Sequence, residues 1–181
     1  MNEANQLAPL VDAVAHWHDF YALLGAASAT LVGLLFVAAN VGSGAFRSGR
    51  RAASRMFLTA SVIHFTSLLI ACLIVLAPGQ TWVSLGAMIM ACGIFGLGYY
   101  AVTWHDSVRD GLSAAIEWDD RIWYAGLPVV CYLFEAGSGV ALVLRSDWGC
   151  MALALAMGLL LLVGIHNAWD ITLWSITRRR E

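Results

Sequence analysis

The sequence predicts an all-α membrane protein, a bundle of five transmembrane helices, and three observations carry that expectation. First, hydrophobic residues make up 60% of the 181 residues and charged ones 12%, with mean hydropathy +0.74; a soluble domain is about 45–50% apolar and 25% charged. Second, five apolar runs each reach the roughly 20 residues that a helix needs to cross hydrocarbon. Third, Arg47, Arg50, Arg51 and Arg55 follow the first run, and Arg178, Arg179 and Arg180 follow the last. Four crossings separate these clusters, which puts both on one side, and basic residues mark the cytoplasmic side. The expected topology is therefore N-out and C-in, and the length leaves room for one membrane domain and no separate soluble one.

Taken in order, the first element is a stretch in which Leu7, Leu10, Val11, Val14 and Trp17 recur at helical spacing, as in an interfacial amphipathic helix. Glu3 and Asp12 stand where a signal peptide carries positive charge. The first span is expected from Phe20 to Val41, the second from Met56 to Ala77 and the third from Trp82 to Trp104. The fourth runs from Ile122 to Leu144 and the fifth from Gly149 to Ile176. Pro78-Gly79 and Ser146-Asp147 punctuate two short connections.

The longer connection from His105 to Arg121 carries Asp106, Asp110, Glu117, Asp119 and Asp120. Acidic residues weigh little in orientation, and pairing with the arginine clusters would contribute about 0 to 1 kcal/mol per exposed pair. Val108, Leu112, Ala115 and Ile116 give this loop an apolar stripe, so a short helix is expected there. Trp17, Trp82, Trp104, Trp118, Trp123, Trp148 and Trp174 fall near the span ends, as an interfacial aromatic belt requires.

Small residues identify packing faces. Gly25, Ala29 and Gly33 recur every four residues in the first span, a spacing that lets helix backbones approach closely within a protomer or between copies. Gly137, Ser138 and Gly139 offer a second close approach, or a bend, in the fourth. Cys72, Cys92, Cys131 and Cys150 show no C-x-x-C spacing; of these, only Cys72 and Cys150 lie near one membrane face and are candidates to meet.

Candidate functional residues are the ionisable groups inside the spans: His64, Glu135, His166 and Asp170. A charge in hydrocarbon costs about 2.5–3.5 kcal/mol on insertion scales, so such groups face a bundle interior and mark a pathway or a site. Counted from the cytoplasmic span ends at 1.5 Å per residue, His64 and His166 both lie roughly 12 Å deep. Glu135 falls beyond the midplane, and Asp170 one turn below His166. Ser61 and Ser67 flank His64, and Asn167 and Asn40 add amides toward the cytoplasmic half.

The leading expectation is an ion or proton route through a self-associating bundle, since acids and histidines form relays across membranes. The competing readings are a non-catalytic accessory or scaffold subunit, in which these groups hydrogen-bond across helices, and a b-haem electron carrier. For haem, His64 and His166 would be the axial pair; span count and these two positions are similar to the cytochrome b subunits of respiratory nitrate reductases, although those carry two histidine pairs. Ser138 with His166 as base loosely resembles rhomboid proteases, but Ala136 stands where their first motif glycine belongs. No metal-ligand spacing is present, no catalytic constellation follows, and a formal net charge of -2 offers no field for nucleic acid.

The run Phe20 to Ala38 resembles the opening of a group of small, uncharacterised bacterial inner-membrane proteins, and His166-Asn167-Ala168-Trp169-Asp170 is similar to their last span. The resemblance implies a multi-pass protein of the bacterial plasma membrane, in contact with the lipid bilayer, and brings no activity with it.

Overall fold

A computed structural model describes residues 3–42, 51–109, 122–146 and 148–177. Five helices are present: α1 (Glu3–Gly42), α2 (Arg51–Leu76), α3 (Trp82–Arg109), α4 (Leu127–Val143) and α5 (Trp148–Thr177). A π-helical turn over Ile122–Gly126 leads into α4. Each helix, with that turn counted into α4, contains a segment apolar and long enough to cross a bilayer: Asp12–Asn40, Thr59–Leu76, Trp82–Thr103, Ile122–Val143 and Trp148–Asp170. The protein is thus a five-span helical bundle, as its hydropathy requires. Its two ends are called here the short-loop end, with the turns at 77–81 and 144–147, and the arginine end, where α2 starts and α5 finishes.

Local chemistry sets the boundaries. Gly79 adopts a φ of 75 in the turn between α2 and α3, a backbone region that disfavours a Cβ. Thr81 and Ser84 then cap α3 reciprocally: Ser84 N–H donates to Thr81 Oγ1 (3.0 Å) and Thr81 N–H to Ser84 Oγ (2.9 Å). Helix α4 ends with Ser146 N–H donating to Ala141 O and Arg145 N–H to Leu142 O. This pairing leaves Arg145 left-handed at φ 57, in the place usually taken by glycine.

The N-terminal stretch differs from an interfacial helix in one respect. It is helical from Glu3 but runs into the first span without a break, a 40-residue helix about 60 Å long. Its stripe also turns inward: Leu10 is buried in the core, and Val14 and Trp17 pack against it. The stripe continues as Tyr21, Leu24 and Ser28, so one apolar seam joins the segment to the bundle. Val11 and Leu7 lie outside the residues whose side chains are described.

Helices α2, α4 and α5 form the centre, with α3 packed along α4 and α1 along α2. The α5 span is 50% buried within the protein and the α1 span only 17%, so α5 is the core helix and α1 the peripheral one. The tightest seam joins α3 to α4. A Cβ on Gly86 would stand 2.5 Å from Gly139 O, one on Gly93 2.5 Å from Ala136 N, and one on Gly139 2.5 Å from Met90 N. Only glycine permits backbones this close, which is how helices gain contact when lipid removes the hydrophobic incentive.

Within the protomer the small residues of the first span do less. Gly25 does meet a neighbour, with a built Cβ 3.1 Å from Cys72 Cβ, but Gly33 has nothing within 4 Å and Ala29 is exposed. The reason is geometric: residues four apart advance about 40° around a helix, so a strict four-residue repeat drifts off the face that Gly25 begins. In α4, Gly139 makes the anticipated close approach, whereas Gly137 is open.

None of the four cysteines, Cys72 and Cys150 included, forms a disulfide. Trp82 and Trp148 each begin a span; Trp82 is buried in the core, while Trp148 is exposed. Helix α3 continues past Trp104 to Arg109. The helix expected around Leu112, Ala115 and Ile116, the remainder of the acidic loop, and Arg47, Arg50 and Arg178 to Arg180 lie outside the described residues.

Candidate functional site

The interior holds one polar chain and, nearer the arginine end, a second cluster. The chain centres on His64, fully buried on α2. Its Nε2 lies 2.8 Å from the hydroxyl of Tyr100 on α3, and its Nδ1 lies 3.1 Å from the hydroxyl of Tyr132 on α4. The imidazole stacks on the Tyr100 ring at 5.7 Å and 7°. Ser67, one turn along α2, hydrogen-bonds to Tyr132. Tyr132 is placed by the glycine seam, since its ring fills the space beside Gly96 that a Cβ would occupy.

Every member of the series Tyr100, His64, Tyr132 and Ser67 carries a group that can both donate and accept a hydrogen bond. One ring nitrogen of a neutral imidazole carries the proton and the other accepts, so one tyrosine donates to the ring and the other receives from it. Because α2 and α3 otherwise pack sparsely, His64 is the principal polar tie between them.

Glu135 lies one turn beyond Tyr132 on α4, toward the short-loop end, and is 2% exposed. Tyr132 and the thiols of Cys72, Cys92 and Cys131, drawn from three helices, lie in its electrostatic neighbourhood. Among the described residues no Lys, Arg or His lies within ion-pair distance of it. Ser138 donates to the Glu135 backbone carbonyl at 2.7 Å and so caps its own helix turn instead of facing His166.

The second cluster is built on the π-helical turn. Pro128, just inside α4, lacks the N–H that would bond the carbonyl four residues earlier, and the wider turn before it accommodates that loss. The turn delivers Trp123 onto His166, rings stacked at 3.9 Å and 7°, and carries Tyr124, whose hydroxyl donates to Asp170 Oδ2 at 3.3 Å. His166 Nδ1 also stands 3.3 Å from Asp170 Oδ2, yet the angle is too poor for a hydrogen bond; the pair is electrostatic and does not lock the tautomer. Asn167 is fully buried beside them, with neither amide atom bonded. Asn40 is exposed, and its amide donates to Phe36 O on its own helix.

A Cβ on Gly164 would lie 2.6 Å from the Phe65 ring, so the stretches of α2 and α5 that carry His64 and His166 adjoin to within about one helical turn in depth. Their surroundings do not fit a shared haem. Both nitrogens of His64 are engaged by tyrosine hydroxyls, and Trp123 covers a face of His166. No group of three or more metal-ligating side chains converges among the described residues.

Tyr100, Tyr132, Trp123 and Tyr124 are the members that hydropathy and charge do not reveal. Aromatic residues in a span read as core or belt, and Trp123 in particular reads as an interface anchor. The available signal was Gly126 with Pro128 at the start of α4, which marks irregular backbone. Fold and interior together define a multi-pass helical membrane protein with a buried chain of hydrogen-bonding groups. Comparison with protein-family profiles, curated proteins and solved structures returned no match.

Proposed function

We propose that this protein conducts protons, or a cation that replaces them, along its buried polar groups. The observation that carries the reading is His64, bridging Tyr100 and Tyr132 through both ring nitrogens at the centre of the bundle. An imidazole in this position accepts a proton on one nitrogen and releases one from the other, ending neutral with its tautomer exchanged. A return of the tautomer or a ring flip resets it. Glu135 would load the chain from the short-loop side, and Asp170 would receive protons at the arginine end. With N-out, C-in topology in a bacterial plasma membrane, that direction runs from outside to the cytoplasm.

Flux in proteoliposomes, read with an internal pH dye under an imposed gradient, tests this. Wild-type vesicles should acidify faster than empty ones, and His64→Ala and Glu135→Gln should remove the difference. Wild-type vesicles no leakier than empty ones would overturn it.

A second reading is favoured by α1. Ala26, Ala29, Thr30 and Gly33 form an exposed small-residue face, which suits close association with another copy or with another membrane subunit. On that reading the protein is a non-catalytic member of a complex, and the polar chain serves only to fix helix positions.

A further inference from the structure

Two fully buried polar side chains on neighbouring helices have no hydrogen-bond partner. Ser61 on α2 and Asn167 on α5 are both 0% exposed, and Ser61 Oγ, Asn167 Oδ1 and Asn167 Nδ2 are all unbonded. From the level shared by Phe65 and Gly164, Ser61 lies four residues and Asn167 three residues toward the arginine end. The two therefore lie within about one helical turn of each other in depth. Their directions also agree. Ser61 lies on α2 between Phe65, which meets α5, and His64, which meets α3 and α4; Asn167 lies on α5 between the faces turned to α2 and to α4. Both aim at the interior where the three central helices meet.

An amide and a hydroxyl buried without partners forfeit their hydration with nothing in return, and buried polar groups of this kind are commonly satisfied by ordered water with two to four partners. We infer that Ser61 and Asn167 share an internal water site between α2 and α5. Water matches the set: the amide supplies donors and an acceptor, and the hydroxyl one donor and further acceptor capacity.

The site lies between the two polar clusters. His64 is on the same face of α2 as Ser61, one turn toward the short-loop end, and His166 precedes Asn167 in α5. Water held here would join the His64 chain to His166 and Asp170, a gap the protein side chains leave unbridged. That role rests on the proton-route reading; the existence of the site does not.

The test is a map of the full-length protein in lipid nanodiscs at a resolution that shows ordered water, with parallel flux measurements. The expected result is a density peak within hydrogen-bond distance of Ser61 Oγ and of the Asn167 amide, absent in Ser61→Ala and in Asn167→Leu. Asn167 bonded directly to Ser61 or to a backbone carbonyl, with no such peak, would overturn the proposal. So would a peak that appears only when sodium is present. Ser61→Ala keeps the test open should Asn167→Leu fail to fold. The two readings separate cleanly: a water peak in a protein without flux leaves the site standing and removes the route, whereas flux without a peak does the reverse. If both hold, each variant reduces flux to that of empty vesicles.

Discussion

At the scale of residues, His64 links three helices through two hydrogen bonds and one stacking contact. Interhelical hydrogen bonds in membrane proteins are worth about 0.6 kcal/mol on average and up to about 1.7. A double-mutant cycle pairing His64→Ala with Tyr100→Phe, read by reversible unfolding in mixed micelles, should return a coupling in that range. The same cycle with Tyr132→Phe should be smaller in proportion to its longer bond, because Tyr132 retains Ser67. Coupling indistinguishable from zero in both would mean that the chain is not formed. Glu135→Gln preserves shape without charge and should fold as well as wild type. Glu135→Lys places a cation where three thiols and a phenol surround the side chain, and should fail to accumulate; equal expression of both would contradict the burial of this site.

At the scale of elements, the α3–α4 seam and the α1 face make opposite predictions for substitutions of one chemical kind. Gly93→Leu drives side-chain atoms into the Ala136 backbone, and overpacking of this sort costs about 1–3 kcal/mol or more. Gly33→Leu meets nothing within the protomer and should change its stability by less than about 0.5 kcal/mol. Thermal unfolding of the two variants in one detergent measures the contrast, and equal losses would refute the seam. Gly33→Leu has a second use: if the α1 face joins copies, the variant should run smaller than wild type by light scattering. The sequence showed small residues in both places, but a four-residue repeat is conspicuous whereas Gly86, Gly93 and Gly96 on α3 against a single Gly139 on α4 is not. Which glycines meet a backbone depends on how each helix is rotated toward its neighbour.

At the scale of the whole molecule, α2, α4 and α5 enclose the polar residues while α1 and α3 flank them. Orientation rests on the arginine clusters and has its own check. Pro78 is exposed at the short-loop end, and the four native cysteines are buried or partly so. Pro78→Cys should react with a membrane-impermeant maleimide in intact cells. Labelling only after the membrane is opened would invert the topology and with it the direction assigned to the route.

The sequence by itself determined the number of spans, their approximate limits and, in His64 and Glu135, two ionisable groups that are buried, because hydropathy and the cost of a charge in lipid belong to each segment alone; His166 and Asp170 remain partly exposed. What the tertiary structure decided is partnership: His64 between two tyrosines, Trp123 on His166, Ser138 turned to its own backbone, and Ser61 and Asn167 buried without a protein partner. A hydrogen bond depends on the rotation and approach of two helices together. Those are set by glycines that touch, by a proline that widens a turn, and by side chains that no single segment contains.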